Sequence, residues 1–294
     1  MRTFNKAKDF IYKNARPLDF ARWQYHFENG SIDAVLNALD AYQNDDGGFG
    51  HALEPDCWNP NSAPLQTWTA TEILREINFT DANHPIIQGI LKYLASGKDF
   101  SNNKWHSTIL SNNDYPHAFW WGADSDSSSH TDYNPTACLA GFIVKYADKS
   151  SDLYKLGFTI VNEAYESYMS RELLDDTHTA ACYIRMMEYC GMDKLKEKLL
   201  LQVNHSITKD KKSWLTDYVC TPSFFFKTKD SVFYLPNKEL ADYECEFIES
   251  TQLDDGSWNI PWSWGDYEEQ WQLSKNWWKA NGIISNLIYL RNIK

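Results

Sequence analysis

The chain has 294 residues, of which 43% are hydrophobic, and a formal net charge of −12. That length holds one large helical domain or two ordinary ones, and the apolar content excludes a disordered chain. The acidic balance lacks the basic footprint that nucleic acid or an anionic membrane requires, so neither is expected as a partner.

No uncharged run is long enough to span a bilayer. The first twenty residues scatter charge through the segment without an apolar core, so no leader is expected. Six cysteines, at positions 57, 138, 182, 190, 220 and 245, form no CxxC pair. This usage suits a reduced chain, and the expected compartment is the cytoplasm.

Along the chain, the 3.6-residue period predicts helices almost throughout and no convincing strand. Two kinds of helix take turns. One kind has a single apolar stripe and a charged back: Ile32, Val35, Leu36, Leu39 and Tyr42; Ile86, Ile90, Leu91 and Leu94; Leu153, Leu156, Ile160 and Val161; Leu195, Leu199 and Val203; Leu240, Phe247 and Ile248. The other kind, at 134–146, 177–190 and 277–290, is apolar nearly all round and is expected to be buried on most sides. Pairing them gives six hairpins, at 4–28, 31–77, 84–147, 152–190, 192–228 and 238–292. Six such pairs close into an α/α toroid, a double barrel with apolar helices inside and amphipathic ones outside. An open superhelix of helix pairs would need polar capping ends, and the last helix is too apolar for that. With no Pro/Gly/Ser linker and no break in composition, 1–294 reads as one domain.

Two outer helices end alike, in LDAYQNDDGGFG (39–50) and FIESTQLDDGSW (247–258), and GKDFSNNKW (97–105) reads as a degenerate third copy. Gly47, Gly48 and Gly256 permit positive φ where the helix must stop. Gln43 and Gln252 can bond the orphaned backbone groups of the turn. Phe49 and Trp258 close the turn on the next helix.

Gln followed by Asp-Gly-Gly-aromatic after an outer helix resembles the QW-type repeat of squalene and oxidosqualene cyclases, other class II terpene cyclases and protein prenyltransferase β subunits. The resemblance implies the α/α toroid and an apolar cavity for an isoprenoid or similar substrate. It also implies that Gln43, Asp46, Gln252 and Asp255 act as turn staples. The class II proton-donor motif is Asp-x-Asp-Asp. LLDDTHTA (173–180) keeps Asp175, Asp176 and Thr177 but has Leu173 where the first Asp belongs. By that match Asp175 stands at the donor position, while Asp-Asp-Thr is equally an ordinary helix N-cap. Prenyltransferases hold zinc through Asp-x-Cys and a later His. Here Asp56 and Cys57 are adjacent and no His follows His205, so no zinc and no other cofactor is expected.

In a ring of hairpins every inner helix starts at one end. The starts are expected at Pro64, Pro135, Thr177, Pro222 and Ser274, with the long loops 51–63, 106–133 and 259–273 emptying over the same mouth. Those loops carry the candidate site. Glu54, Asp56 and Asp266, with Asp175 and Asp176, are the candidate acid/base groups. His51, Trp58, His117, Trp120, Trp121, His178, Trp262, Trp264 and Tyr267 are the candidate cavity and substrate contacts. Pro55 forces Glu54 out of helical geometry. Glu54 and Asp56 read as catalytic carboxylates or as caps of the helix at 64–77. His178 reads as a core histidine or a general base.

Three functions fit these residues. The first is a terpenoid cyclase- or prenyltransferase-like toroid that binds an isoprenoid. The second is a carbohydrate-active toroid that uses rim carboxylates and tryptophans. The third is a binding or scaffold toroid without chemistry.

Overall fold

A computed structural model describes residues 2–124 and 132–294; most of the Asp/Ser-rich stretch at 123–129 falls outside these. The described residues form twelve α-helices: α1 (Arg2–Asn14), α2 (Pro17–Phe27), α3 (Ile32–Asp40), α4 (Pro64–Glu76), α5 (Pro85–Ala95), α6 (Thr136–Tyr146), α7 (Asp152–Ser170), α8 (Thr177–Cys190), α9 (Lys196–Ser206), α10 (Pro222–Phe225), α11 (Lys238–Ser250) and α12 (Glu268–Ile293). The fold is mostly helical, as the periodicity requires. Among these residues no helix is long and apolar enough to cross a membrane.

Burial follows the two helix classes. In α6 the buried run extends from Thr136 to Ile143 without a break, whereas α7 buries only Gly157, Ile160, Val161, Ala164 and Tyr168, one stripe of its surface. Three details differ from the sequence reading. A two-stranded antiparallel hairpin, β1 (Phe100–Ser101) and β2 (Lys104–Trp105), forms where no strand is expected. Its Asn102 and Asn103 both have positive φ, 50° and 56°, which is the two-residue turn that matches strand twist. The last helix starts at Glu268 and carries Ser274 as a buried interior residue instead of its first. Two acids in its first turn favour that earlier start through the helix dipole. The second helix expected in the fifth pair shrinks to the four residues of α10.

The chain divides into two compact units. The middle unit comprises Leu39–Leu199 with Gly265–Tyr267, and the flanking unit comprises Met1–Ala38, Leu200–Trp264 and Glu268–Lys294. In the middle unit α6 packs against α4, α5, α7 and α8. The ends of α4 and α8 are joined by charge. Arg185 Nε donates to both oxygens of Glu72, at 3.0 and 2.8 Å, and Arg75 pairs with Glu188 at 2.7 Å.

In the flanking unit α12 packs against α1, α2 and α11. Asp19, fully buried on α2, accepts from Arg16 Nε at 2.8 Å and from Arg22 Nη1 at 3.0 Å. Arg22 Nη2 continues to Asn281 Oδ1 on α12 at 3.0 Å, and the Arg16 guanidinium lies over the Trp277 ring. α10 is too short to hold itself, since one turn cannot repay its nucleation cost. A buried acid holds it from α11: Glu244 accepts from Ser223 N at 2.8 Å and from Ser223 Oγ at 2.6 Å, with the Thr221 and Tyr289 hydroxyls facing the same carboxyl.

Two predictions follow from these buried groups. Asp19→Ala leaves two buried guanidiniums without their counter-ion and is expected to cost about 3–5 kcal/mol, read as a lowered urea midpoint at unchanged slope. Burial raises the Glu244 carboxyl above its ordinary value, against the opposing hydrogen bonds. Between the ordinary and the raised value the folded state binds more protons than the unfolded, so stability falls as pH rises through that window. Urea titrations across that window are expected to show this slope in the wild type and its loss in Glu244→Gln.

Candidate functional site

The turn after α3 is built from its own sequence. Gln43 Nε2 donates to Gly47 O at 2.8 Å and to Ile86 O on α5 at 3.2 Å, while Asp46 Oδ1 accepts from Gly48 N at 3.0 Å and from Ser62 Oγ at 2.5 Å. Gly47 is required twice over: its φ is +90°, and a Cβ there would lie 2.1 Å from Gly89 O. Phe49 N donates to Thr67 Oγ1 on α4 at 3.1 Å. The second copy, in the flanking unit, repeats the design. Gln252 Nε2 donates to Gly256 O at 3.0 Å and to Thr3 O on α1 at 2.9 Å, and Asp255 Oδ1 accepts from Ser257 N at 2.9 Å. A Cβ on Gly256, at φ +93°, would lie 2.0 Å from Lys6 O. The four side chains Gln43, Asp46, Gln252 and Asp255 are thus engaged in turn geometry.

From the first turn the chain enters the loop that carries the acids. His51 and Ala52 both adopt left-handed backbone, φ 60° and 61°, which a non-glycine residue holds only when its surroundings impose it. His51 is exposed, and its Nε2 meets Asn44 Oδ1 at 2.9 Å. Glu54 and Asp56 are buried, 7% and 3% exposed. Neither caps α4, whose N-cap is Ala63 without a side-chain bond. Instead Glu54 Oε2 accepts from Asp56 N at 2.9 Å, folding the acid back on its own loop. Gln66, in the first turn of α4, latches that loop. Its Oε1 accepts from Glu54 N at 2.9 Å, and its Nε2 donates to Cys57 O at 2.9 Å. The buried Cys57 thiol is pushed up to about 12, chiefly by burial and further by the charges of Glu54 and Asp56. Among the described residues no three His, Cys, Asp or Glu side chains group as a metal site.

The acid loop pairs with the loop 106–123 through a short bridge. Trp58 N donates to Pro116 O at 2.9 Å and Ala118 N to Asp56 O at 2.8 Å, bringing Cys57 opposite His117. Asparagines fix the pairing. Asn59 Nδ2 donates to Asn112 Oδ1 at 2.9 Å, Asn112 Nδ2 to Trp121 O at 2.9 Å, and Asn113 Nδ2 to Ala123 O at 2.7 Å. His117 Nδ1 lies 2.7 Å from Tyr115 O. A carbonyl only accepts, so Nδ1 carries a proton and donates in this contact. The Tyr267 ring stands 5.9 Å from that of His117, on a turn where Gly265 and Tyr267 both have positive φ. Asp266, between them, is exposed.

On the outer side Phe119 is 73% exposed and meets the half-buried Trp120 edge to face at 4.9 Å. The buried indole Nε1 of Trp121 has no hydrogen-bond acceptor. The middle unit therefore brings His51, Glu54, Asp56, Trp58, His117, Trp120, Trp121, Asp266 and Tyr267 onto mutually braced loops.

The other candidates lie elsewhere. Asp176 caps α8, accepting from His178 N at 3.0 Å, Thr179 N at 3.2 Å and Thr179 Oγ1 at 2.5 Å. Asp175 beside it is exposed, as is His178. In the flanking unit Trp264, expected on the rim, is fully buried and faces Trp271 at 5.9 Å. Trp262 is half-buried and nearly perpendicular to both Tyr218 and Trp278. The bracing residues Gln66, Asn59, Asn112 and Asn113 escape a sequence search, because an amide carries no chemical signature apart from the partner it meets.

Comparison with known proteins gives no matching family model, no matching curated protein and no matching solved structure.

Gln66→Leu keeps the side-chain volume and removes the latch. The expected loss is about 1–3 kcal/mol, from buried backbone groups left unsatisfied. Hydrogen exchange is expected to accelerate at the amides of 54–58 and to stay slow at 47–49.

Proposed function

We propose that the chain closes into a single-domain α/α toroid of six hairpins whose working face is this loop assembly, and that the face binds a carbohydrate. The ring is supported by the way each outer helix hands on to the next. In the middle unit the turn after α3 is tied to α5 by Gln43, the hairpin after α5 to α7 by Asn103 and Glu163, and the end of α7 to α9 by Lys198 through the carbonyl of Tyr168. In the flanking unit Trp214, after α9, packs on Tyr243 and Phe247 of α11, and the turn after α11 returns to α1 through Gln252. A last outer helix that binds the first is the condition for closure.

The observation that carries the carbohydrate reading is the braced rim itself. It has exposed aromatic faces at Phe119 and Tyr267, the imidazole of His117 and an exposed carboxylate at Asp266. Rigid rings beside a few convergent polar groups suit a ligand with one apolar face and many hydroxyls. Neutral or amino sugars fit the acidic surface better than polyanions. The isoprenoid cyclase reading has less support. A proton-donating carboxyl must be kept neutral by burial, whereas Asp175 is exposed and Asp176 is occupied as a cap. The charges of Glu72, Arg75, Arg185 and Glu188, which join α4 to α8, also make a poor lining for a hydrocarbon. All six cysteines are free thiols, in keeping with a cytoplasmic protein.

The test is a thermal-shift series with neutral and amino oligosaccharides beside a polyprenyl diphosphate. A saccharide is expected to raise the melting temperature in proportion to the logarithm of its concentration once above Kd. Trp120→Ala is expected to weaken that saccharide about tenfold, the loss of one ring contact. Stabilisation by the diphosphate alone, or by none of these ligands, overturns the reading.

A further inference from the structure

The hairpin of β1 and β2 carries a second chemical constellation, independent of the rim. Its register pairs Phe100 with Trp105 and Ser101 with Lys104, and the pairing continues outward through His106 N donating to Asp99 O at 2.8 Å. Side chains alternate across a strand. Phe100 and Trp105 therefore share one side, where their rings meet at 4.7 Å and Trp105 is 1% exposed. Ser101 and His106 share the other, while Asp99, at φ 51°, falls in left-handed backbone outside the strand pattern. There Ser101 Oγ lies 3.0 Å from His106 Nε2. The Asp99 carboxyl accepts from Tyr93 OH at 3.3 Å; burial raises its pKa, and the charges of Lys98 and His106 oppose the rise.

The support beneath is rigid. Trp105 N donates to Thr136 Oγ1 on α6 at 3.0 Å, and Asn103 Nδ2 donates to both oxygens of Glu163 on α7 at 3.0 and 3.1 Å. Ser101 itself is exposed, so an acyl group can reach it.

We propose that Ser101 and His106 form a nucleophile–base dyad that hydrolyses carboxylic esters. A serine hydroxyl is a weak nucleophile until an adjacent base takes its proton, and an imidazole hydrogen-bonded to it through Nε2 is placed to do so. Ser101 Oγ bonds to the ester carbonyl carbon as its proton passes to His106 Nε2. The carbon–oxygen bond to the alcohol breaks, and the alcohol leaves with that proton. Water then attacks the acyl carbon, giving one proton to His106. The carboxylic acid leaves as Ser101 Oγ takes that proton back.

The test uses the full chain with an alkyl fluorophosphonate, which phosphonylates an activated serine, and maps the adduct by peptide mass spectrometry. The adduct is expected on Ser101, and it disappears in Ser101→Ala, whose melting curve should match the wild type because the side chain is exposed. His106→Ala is expected to slow labelling about 100-fold, the low end of a general base's contribution. The wild-type rate should rise with pH as a single ionisation, a readout that needs no variant to fold. No adduct on Ser101, a flat pH profile, or equal labelling in a folded His106→Ala protein overturns the proposal.

Discussion

The interaction on which the rest of the architecture depends is an amide side chain reaching from the turn after one helix to a backbone carbonyl of another. Gln43 does this for Ile86 and Gln252 does it for Thr3, and each also closes its own turn on the glycine four residues later. One glutamine amide offers two donors, and both go to carbonyls, one in its own turn and one in the first turn of a neighbouring helix. The glycine that follows must be glycine because the neighbouring helix backbone comes within about 2 Å of where a Cβ would stand. The motif therefore sets a spacing between helices as well as a turn. This explains why the same five positions recur at opposite ends of the chain while the helices around them share little sequence.

Apolar packing alone would leave the helices free to slide, because greasy surfaces match in many registers. Both units instead carry charged groups between packed helices. Asp19 holds Arg16 and Arg22 and reaches α12 through Asn281, and Arg185 on α8 holds Glu72 on α4. Such pairs add little net stability over a hydrophobic replacement, but a slipped register would strand a charge in the interior. Their effect is to select one arrangement. In the middle unit α4 and α6 supply Thr67 and Thr136, whose hydroxyls receive the backbone amides of Phe49 and Trp105, so loop and helix are aligned by hydrogen bonds as well as by volume.

Most of the helical framework was legible in the sequence. The five striped segments fall on α3, α5, α7, α9 and α11 and the three apolar ones on α6, α8 and α12, and Asp176 was readable as a cap from its place before Thr177. What escaped has physical causes. The Asn102-Asn103 turn supports a ladder of two residues a side, too short for any period to register. α10 shrank because its apolar run is stabilised from outside, by Glu244, and not by its own length. Trp262 and Trp264 are two residues apart in one loop, yet one stays half-exposed and the other is fully buried. Composition marks a loop as aromatic, but which ring faces the core depends on neighbours distant in sequence. The site was legible as a set of loops, and its bracing amides were not.

The loop assembly divides its labour along lines of burial. Glu54 and Asp56 attract attention by charge, yet they are the buried members, and Glu54 turns its carboxylate onto the backbone of Asp56. Buried acids beside a thiol are costly unless the backbone repays them in hydrogen bonds, so their presence marks a loop whose shape is specified. The shape they specify holds His51 and Ala52 in left-handed backbone and sets Cys57 opposite His117. The groups that face solvent, Phe119, Asp266 and Tyr267, then need no hydrogen bond of their own to keep their places. A ligand that meets them meets a surface already ordered, so the entropy of arranging it is spent in folding and not in binding.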